Sequence, residues 1–108
     1  SGFKTLSISS NNGYSLINID KILWCEASGN YTIIIMEGKR QLVASKQLKH
    51  YESILIGAGF FRIHRSFLVN INQIYKIKGS TVILKNKIEL TISRRNKIHI
   101  EMLMRIIG

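Results

Sequence analysis

Proline is absent from this chain of 108 residues, and cysteine occurs once. The lone Cys25 excludes an intramolecular disulfide, which agrees with a reducing compartment, so we expect a cytoplasmic location. Its apolar neighbours Trp24 and Leu23 indicate a buried small residue rather than a reactive thiol. Apolar runs reach only a few residues, whereas about 20 are needed to span a bilayer, and no signal peptide is visible. We therefore expect no membrane partner for this segment.

Residue patterns typical of enzymes and metal sites are also missing. His50, His64 and His99 are widely spaced with no pairing typical of metal ligands, so no metal site or cofactor is predicted. There is no recognisable nucleophile–base pair, paired carboxylate site or phosphate-binding glycine loop. The sequence predicts a protein that is not an enzyme.

Acidic residues are scarce. Sixteen Lys and Arg stand against six Asp and Glu, giving a formal charge of +10 and a pI of about 10.1. Much of the excess falls in two short stretches, 60–66 and 93–97. Because self-repulsion adds nothing to the stability of a compact domain, this charge indicates a polyanionic partner, with nucleic acid as the first candidate.

Alternating apolar residues and Gly or Asn turns predict that most of the chain forms short strands. Asn11, Asn12 and Gly13 should turn the first strand back onto the second. A brief helical turn is expected at 20–21. The predicted strands cover residues 3–9, 14–19, 22–27, 31–36, 40–44, 60–64, 67–69, 74–77, 81–84 and 88–92.

Helical spacing occurs twice, once near the middle of the chain and once at its C-terminal end. Ser45 is expected to cap the first helix, which extends to the glycines at 57–59. Ser93 is expected to cap the second, with Ile98, Met102 and Ile106 as its apolar face. The fold class predicted is mostly β, with antiparallel sheets and these two helices. We expect one domain over residues 1–108, with Ser1–Gly2 as a remnant of expression and further domains upstream.

The start of the last helix has an unusual charge pattern. Arg94, Arg95 and Lys97 fall in its first turn, where they oppose the positive end of the helix dipole at a cost of a few tenths of a kcal/mol each. A bound anion would reverse that sign, because free backbone N–H groups and the cations would then cooperate. A solvated basic face is the alternative, and the charge excess elsewhere favours anion binding.

Four blocks of the sequence, in order, resemble LytTR-type DNA-binding domains over roughly residues 5–106. The most specific is the stretch from Phe61 through Arg62, His64 and Ser66 to Asn70. The others are residues 22–32, 48–49 and 92–95. The resemblance implies an antiparallel β fold and sequence-specific binding of double-stranded DNA in transcriptional regulation, usually as the output domain of a two-component response regulator.

The resemblance also implies three DNA-contacting segments. These are the loop after the strand containing Glu26, the loop within the histidine–serine block, and the start of the last helix. The residues carried over to this sequence are Asn30, Tyr31, His64, Arg65, Ser66, Arg94, Arg95 and Lys97, with Ser28 beside Asn30. The family pattern places the outer two segments in successive major grooves and the middle one in the minor groove.

Each segment then has an expected partner on the duplex. Arg95 suits a guanine edge, where a bidentate contact discriminates by about 1–3 kcal/mol. Arg65 suits a narrow, A·T-rich minor groove. Asn30 suits either adenine or a phosphate. Ser66 can donate to phosphate, whereas Asn70 is expected to hold a turn.

Several basic residues have two interpretations, as phosphate contacts or as solvated cations. These are Lys46, Lys49, Arg62, Lys76, Lys78 and Lys97. Glu26, beside the first loop, is expected to orient Arg65 or Arg95. Trp24, Phe60, Phe61 and Phe67 are interpreted as core residues rather than as a platform for stacking bases.

The partner expected is duplex DNA, and an RNA or single-stranded nucleic-acid binding module is the alternative. The resemblance implies a monomer in isolation that pairs on direct repeats of DNA. It also implies a receiver domain and a histidine kinase associated with the full-length protein.

Overall fold

The computed structural model describes residues 4–107, so the expectations for Ser1, Gly2 and Phe3 lie outside the described residues. Ten strands form three antiparallel sheets, and the two α-helices lie near the middle and at the C-terminal end. The predicted fold class is confirmed. Among residues 4–107, no helix is both long and apolar enough to cross a membrane.

The elements follow the predicted order along the chain. The strands are β1 (Thr5–Ser10), β2 (Gly13–Asn18), β3 (Ile22–Ser28), β4 (Tyr31–Met36), β5 (Arg40–Ala44), β6 (Phe60–His64), β7 (Phe67–Asn70), β8 (Ile74–Lys78), β9 (Thr81–Leu84) and β10 (Glu89–Thr91). The helices are α1 (Leu48–Leu55) and α2 (Arg94–Ile107), and short 3-10 turns cover 19–21, 37–39, 56–58 and 71–73.

A five-stranded sheet in the order β5-β4-β3-β7-β6 divides the domain into two cores. The β1–β2 hairpin and α1 cover one face, while the β8–β9–β10 sheet and α2 cover the other. Along β4, Ile34 packs into the first core and Ile35 into the second. A central strand buried on both faces therefore explains the uninterrupted apolar run at 33–36.

The single cysteine lies in this sheet, on β3. Cys25 is fully buried, as expected, and burial raises the pKa of its thiol to about 12. Since the thiolate is the reactive form, the thiol is inert in the folded domain.

The cap predicted for the first helix is wrong. Gln47, not Ser45, precedes α1, and it makes no capping hydrogen bond through its side chain. The Ser45 hydroxyl is instead hydrogen-bonded to the Ser9 hydroxyl at 2.8 Å, and the Ser45 N–H donates to the Ser9 carbonyl at 2.8 Å. Ser45 therefore ties the β1–β2 hairpin to the end of β5.

The apolar face predicted for the last helix is also wrong. Ile98, Met102 and Ile106 are 66%, 53% and 79% exposed, whereas Ile100 is buried and Met104 packs beside it. The helix has two apolar stripes, and the one centred on Ile100 faces the β8–β9–β10 core. The stripe of Ile98, Met102 and Ile106 faces solvent.

Asn70 holds a turn, as predicted. Its side chain is buried, donates to the Ile22 carbonyl at 2.9 Å and accepts from the Asn72 N–H at 3.0 Å. A buried amide needs such partners because an unsatisfied polar group is costly in the core. Asn70 thereby links β7 to β3 at the end of the sheet remote from residues 28–30 and 64–66.

Candidate nucleic-acid interface

Two of the three predicted segments lie at one end of the five-stranded sheet. β3 leads into the turn that contains Asn30, and β7 runs antiparallel to β3, with Phe67 opposite Glu26. The Ala27 N–H also donates to the Ser66 carbonyl at 2.9 Å. The β3–β4 turn and the β6–β7 turn are therefore neighbours.

The start of α2 joins the same end through β6. The Ser93 N–H donates to the Ile63 carbonyl at 2.8 Å, one residue before His64. The Ile92 N–H donates to the Ser80 carbonyl, also at 2.8 Å, which places the β8–β9 turn alongside. All three predicted segments thus share one end of the domain, which we call the basic end: residues 28–31, 64–66 and 93–97.

An open cleft of about 460 Å³ lies between the β6–β7 turn and α2. It brings together His64, Arg65 and Arg95 from among the predicted residues. The full lining is Glu52, Arg62, His64, Arg65, Ser93, Arg95 and Asn96. Ser66, Arg94 and Lys97 lie next to lining residues in the chain but outside this set.

His64 is fixed within the β6–β7 turn. Its Nδ1 accepts a hydrogen bond from the Ser66 N–H at 3.1 Å, and its ring packs against Phe67 with 5.2 Å between centroids. Because Nδ1 accepts, the proton of the neutral ring is on Nε2, which is then a donor. The adjacent Arg65 is exposed at the tip.

Arg62 is held by partners within the protein, so its interpretation as a solvated cation is wrong. Its Nε donates to the His64 carbonyl at 2.9 Å, and its Nη2 donates to the Arg65 carbonyl. Its Nη1 forms a 2.8 Å ion pair with Glu52 of α1. All three guanidinium nitrogens are engaged within the protein, so Arg62 is a structural residue.

The start of α2 has the predicted cap and charge. The Ser93 hydroxyl accepts from the Asn96 N–H at 3.3 Å and from the Asn96 side chain at 2.9 Å. The first turn contains no acidic residue. Within residues 4–107, the N–H groups of Arg94 and Arg95 form no hydrogen bond. These donors and the two guanidinium groups form a site suited to an anion.

The first segment is arranged differently from the other two. Asn30 is exposed, and its Oδ1 accepts from Gln47 Nε2 at 3.1 Å. The N–H₂ group of the Asn30 side chain is the part that can donate to a ligand. Tyr31 is 51% exposed and lines a separate depression with Asn11 and Asn12 of the β1–β2 turn. The structure therefore brings Asn30 to the basic end but turns Tyr31 away from the cleft.

The orienting role expected of Glu26 is wrong. Its carboxylate accepts from Trp24 Nε1 at 3.2 Å. Across residues 4–107, none of the ion pairs involves Glu26. Its neighbour in the register is Phe67 rather than either predicted arginine.

Sequence reasoning missed two residues of the cleft, Glu52 and Asn96. Asn96 follows Ser93 by three residues, a spacing that gives a capping partner and could have been found. Glu52 pairs with Arg62 across ten positions, from a helix to a strand. No local signal in the sequence announces such a contact.

The aromatic residues behave as predicted. Trp24 and Phe60 are buried, and Phe61 and Phe67 pack against the second core. No group of three or more His, Cys, Asp or Glu side chains in the described part of the chain is placed to hold a metal ion.

The electrostatic character of the basic end follows from its ion pairing. In the stretch 4–107, no ion pair involves Arg65, Arg94, Arg95 or Lys97. The cleft contains one carboxylate, Glu52, which is paired with Arg62. The exposed guanidinium groups of this surface are thus uncompensated by carboxylates and are attractive to phosphate.

Comparison with known proteins agrees with this architecture. A solved domain from Bacillus cereus, described as the LytTr DNA-binding domain of a methyl-accepting/DNA response regulator, superposes with a TM-score of 0.79. It is 24% identical, and the match covers 95% of this chain and 98% of that one. No curated protein matches this chain. The family model described as the LytTr DNA-binding domain matches residues 12–105. Since that match spans nearly all of the described residues, the chain belongs to the LytTR family of DNA-binding domains.

Proposed function

We propose that this domain binds double-stranded DNA in a sequence-specific manner and acts as the effector domain of a two-component response regulator that controls transcription. The observation that supports this most directly is the meeting of three segments at the basic end, with Arg65 and Arg95 on one cleft and without carboxylate partners among residues 4–107. A duplex offers phosphates and base edges along one side, which suits such a surface.

Each segment is assigned a part of the duplex. Arg95, at a helix start with outward N–H groups, reads a guanine in a major groove while Arg94 and Lys97 contact phosphates. Arg65, at the tip of a two-stranded turn, enters the minor groove, with His64 and Ser66 donating to its walls. Asn30 presents its amide N–H₂ group to adenine or to phosphate, since its oxygen is already engaged by Gln47.

The setting proposed for the full-length protein follows the family resemblance. An upstream receiver domain takes a phosphoryl group from a histidine kinase, and the protein acts in the cytoplasm. The isolated domain is a monomer that pairs on direct repeats. None of these steps uses a cofactor or a catalytic residue of this domain.

Selection of bound duplexes from a random pool, at a stated salt concentration, tests the proposal. We expect a defined motif, and a steep fall in affinity with salt because phosphate contacts release counterions. Arg95→Ala should lower the preference for the selected motif by about 1–3 kcal/mol, the value of one bidentate guanine contact. Unchanged preference in Arg95→Ala would remove that assignment.

A competition between duplex, single-stranded DNA and RNA of the same sequence addresses the alternative. Single-strand binders of this size stack bases on aromatic side chains. Here Trp24 and Phe60 are buried and therefore unavailable. We expect the duplex to bind with the highest affinity, and tighter binding to a single strand would overturn the proposal.

A further inference from the structure

We infer that Glu52 and Arg62 form a positioning pair that holds the Arg65 turn in its DNA-binding shape. The inference rests on the proposed function of Arg65, and it assigns a specificity role to a glutamate of α1 that lies outside all three DNA-contacting segments.

The first step is the position of the Arg62 side chain. Arg62 is on β6, two residues before His64, and it folds forward under the turn. Its Nε and Nη2 donate to the carbonyls of His64 and Arg65, the two residues at the tip. Two carbonyls of consecutive residues are thus held by one rigid, planar group. A guanidinium is suited to this because its donors are fixed relative to each other.

The second step is the role of Glu52. Its Oε1 accepts from Arg62 Nη1 at 2.8 Å, and both side chains are only partly exposed, 31% for Glu52 and 25% for Arg62. The carboxylate neutralises a partly buried cation and fixes the direction of its plane. Without Glu52, the guanidinium gains freedom to turn away from the tip, and the Arg65 carbonyl then loses its donor.

The third step is what else restrains the turn. The Ser66 N–H is held by His64 Nδ1 at 3.1 Å, and the Ser66 carbonyl accepts from Ala27. These bonds fix the side of the turn that follows Arg65. His64 is also paired with Phe67 across the turn, whereas within residues 4–107 the Arg65 carbonyl has no donor other than Arg62. The pair therefore completes the restraint on the residue proposed to enter the minor groove.

Preorganisation of this kind affects specificity more than general attraction to DNA. A disordered turn still brings the positive charge of Arg65 to phosphate. Its entry into a narrow groove, however, then costs the conformational entropy of ordering the turn on binding. Loss of the pair should therefore reduce discrimination at the base pairs read by Arg65. Discrimination at those read by Arg95 should remain.

A double-mutant cycle tests this. Duplex affinity is measured for the single variants Glu52→Gln, Arg62→Lys and Arg65→Ala, and for the first two combined with Arg65→Ala. Each protein is tested on the selected duplex and on duplexes altered at one position. We expect Glu52→Gln and Arg62→Lys to lower discrimination at the base pairs read by Arg65 on the order of 10-fold, because coupled neighbours show interaction energies of this size. In the Arg65→Ala background neither should have further effect.

The matched control is Glu89→Gln, which removes the same charge from an exposed residue of β10. Both glutamine variants raise the net charge by one, so general electrostatics predicts equally tighter binding to any DNA. The positioning role predicts lower discrimination in Glu52→Gln alone. Arg62→Lys retains the charge of Arg62. Full discrimination between duplexes in that variant would mean that Arg62 acts only as a cation, and would overturn its positioning role.

Amide hydrogen exchange in the absence of DNA provides a second readout. The N–H groups of Arg65 and Ser66 should exchange faster in Glu52→Gln than in Glu89→Gln, with similar thermal unfolding of both. Unchanged exchange, or additive effects in the Arg65→Ala background, would overturn the positioning role while leaving the proposed function intact. If Arg65→Ala itself binds all duplexes as the parent does, the proposed role of Arg65 fails and this inference fails with it.

Discussion

The two ends of the five-stranded sheet differ in the ion pairing of their basic side chains. At the end remote from the basic end, Lys21 and Glu37 lie 3.8 Å apart, and Lys4 and Asp20 lie 3.7 Å apart. Gln73 also donates to Glu37 at 3.0 Å there. Beside the basic end, Glu52 and Arg62 form an ion pair, and within residues 4–107 Arg65 and Arg95 belong to none.

This contrast shows that total charge is a poor guide to a binding surface. The net charge of +10 belongs to the whole chain, but at the remote end Asp20 and Glu37 offset the charges of Lys4 and Lys21. What distinguishes the basic end is the distribution of acidic residues. A cation without a nearby carboxylate contributes its full field to an approaching polyanion.

The largest effect should come from charge reversal at the basic end. Arg94→Glu with Arg95→Glu lowers the net charge from +10 to +6, because each change removes two charges. We expect DNA affinity to fall on the order of 100-fold or more, and the slope of log affinity against log salt to flatten by at least about 0.9, the value of the one phosphate contact assigned to Arg94. Titration of labelled duplex at several salt concentrations measures both.

Lys4→Glu with Lys21→Glu is the matched control, since it causes the same change in net charge at the remote end. If the contrast between the ends is real, this variant should bind with a nearly unchanged salt slope. Equal losses in the two double variants would show that only the net charge matters.

An intermediate effect is expected on stability, where the buried and the exposed apolar stripes of α2 should differ. Ile100 anchors the buried stripe of α2, so Ile100→Ala should lower the free energy of unfolding by about 2–5 kcal/mol. Met102→Ala, on the exposed stripe, should change it by no more than about 0.5 kcal/mol. Chemical denaturation of the two variants measures the difference, and a similar cost for both would mean that the exposed stripe is covered in solution.

The smallest effect should come from the remote ion pairs. Glu37→Gln removes the charge partner of Lys21, and both side chains are about half exposed. Exposed pairs contribute about 0–1 kcal/mol, so stability should change little. Duplex discrimination measured by competition should be unaltered, and a change in base preference would place the remote end in contact with DNA.

The strands could be predicted closely because their signals are local. Gly and Asn turns mark most boundaries, and the three consecutive isoleucines at 33–35 favour a strand because they are β-branched. The buried face of α2 could not be predicted in this way. Ile98, Met102 and Ile106 form one apolar stripe and Ile100 belongs to another. The choice between them depends on where the β8–β9–β10 sheet lies, which is a tertiary fact.

The site divides along the same line. The cap at Ser93 and the cations after it are contiguous in the chain, so sequence alone places them together. The hydroxyl of Ser45, by contrast, is hydrogen-bonded to Ser9, 36 residues away, and Arg62 forms its ion pair with Glu52 of α1. Local patterns report which groups are available, but distant partners decide what each group does.

The hydrogen bond from Ser93 to Ile63 sets a fixed span across the protein surface. One strand, β6, supports both the Arg65 tip and the first turn of α2, so the gap between those two elements cannot stretch or shrink independently. On the proposed binding mode, a base pair inserted between the two recognised positions would displace one of them by about 3.4 Å along the duplex. Such a domain recognises the spacing of base pairs as well as their identity. Its targets should therefore tolerate substitutions between the recognised positions far better than insertions.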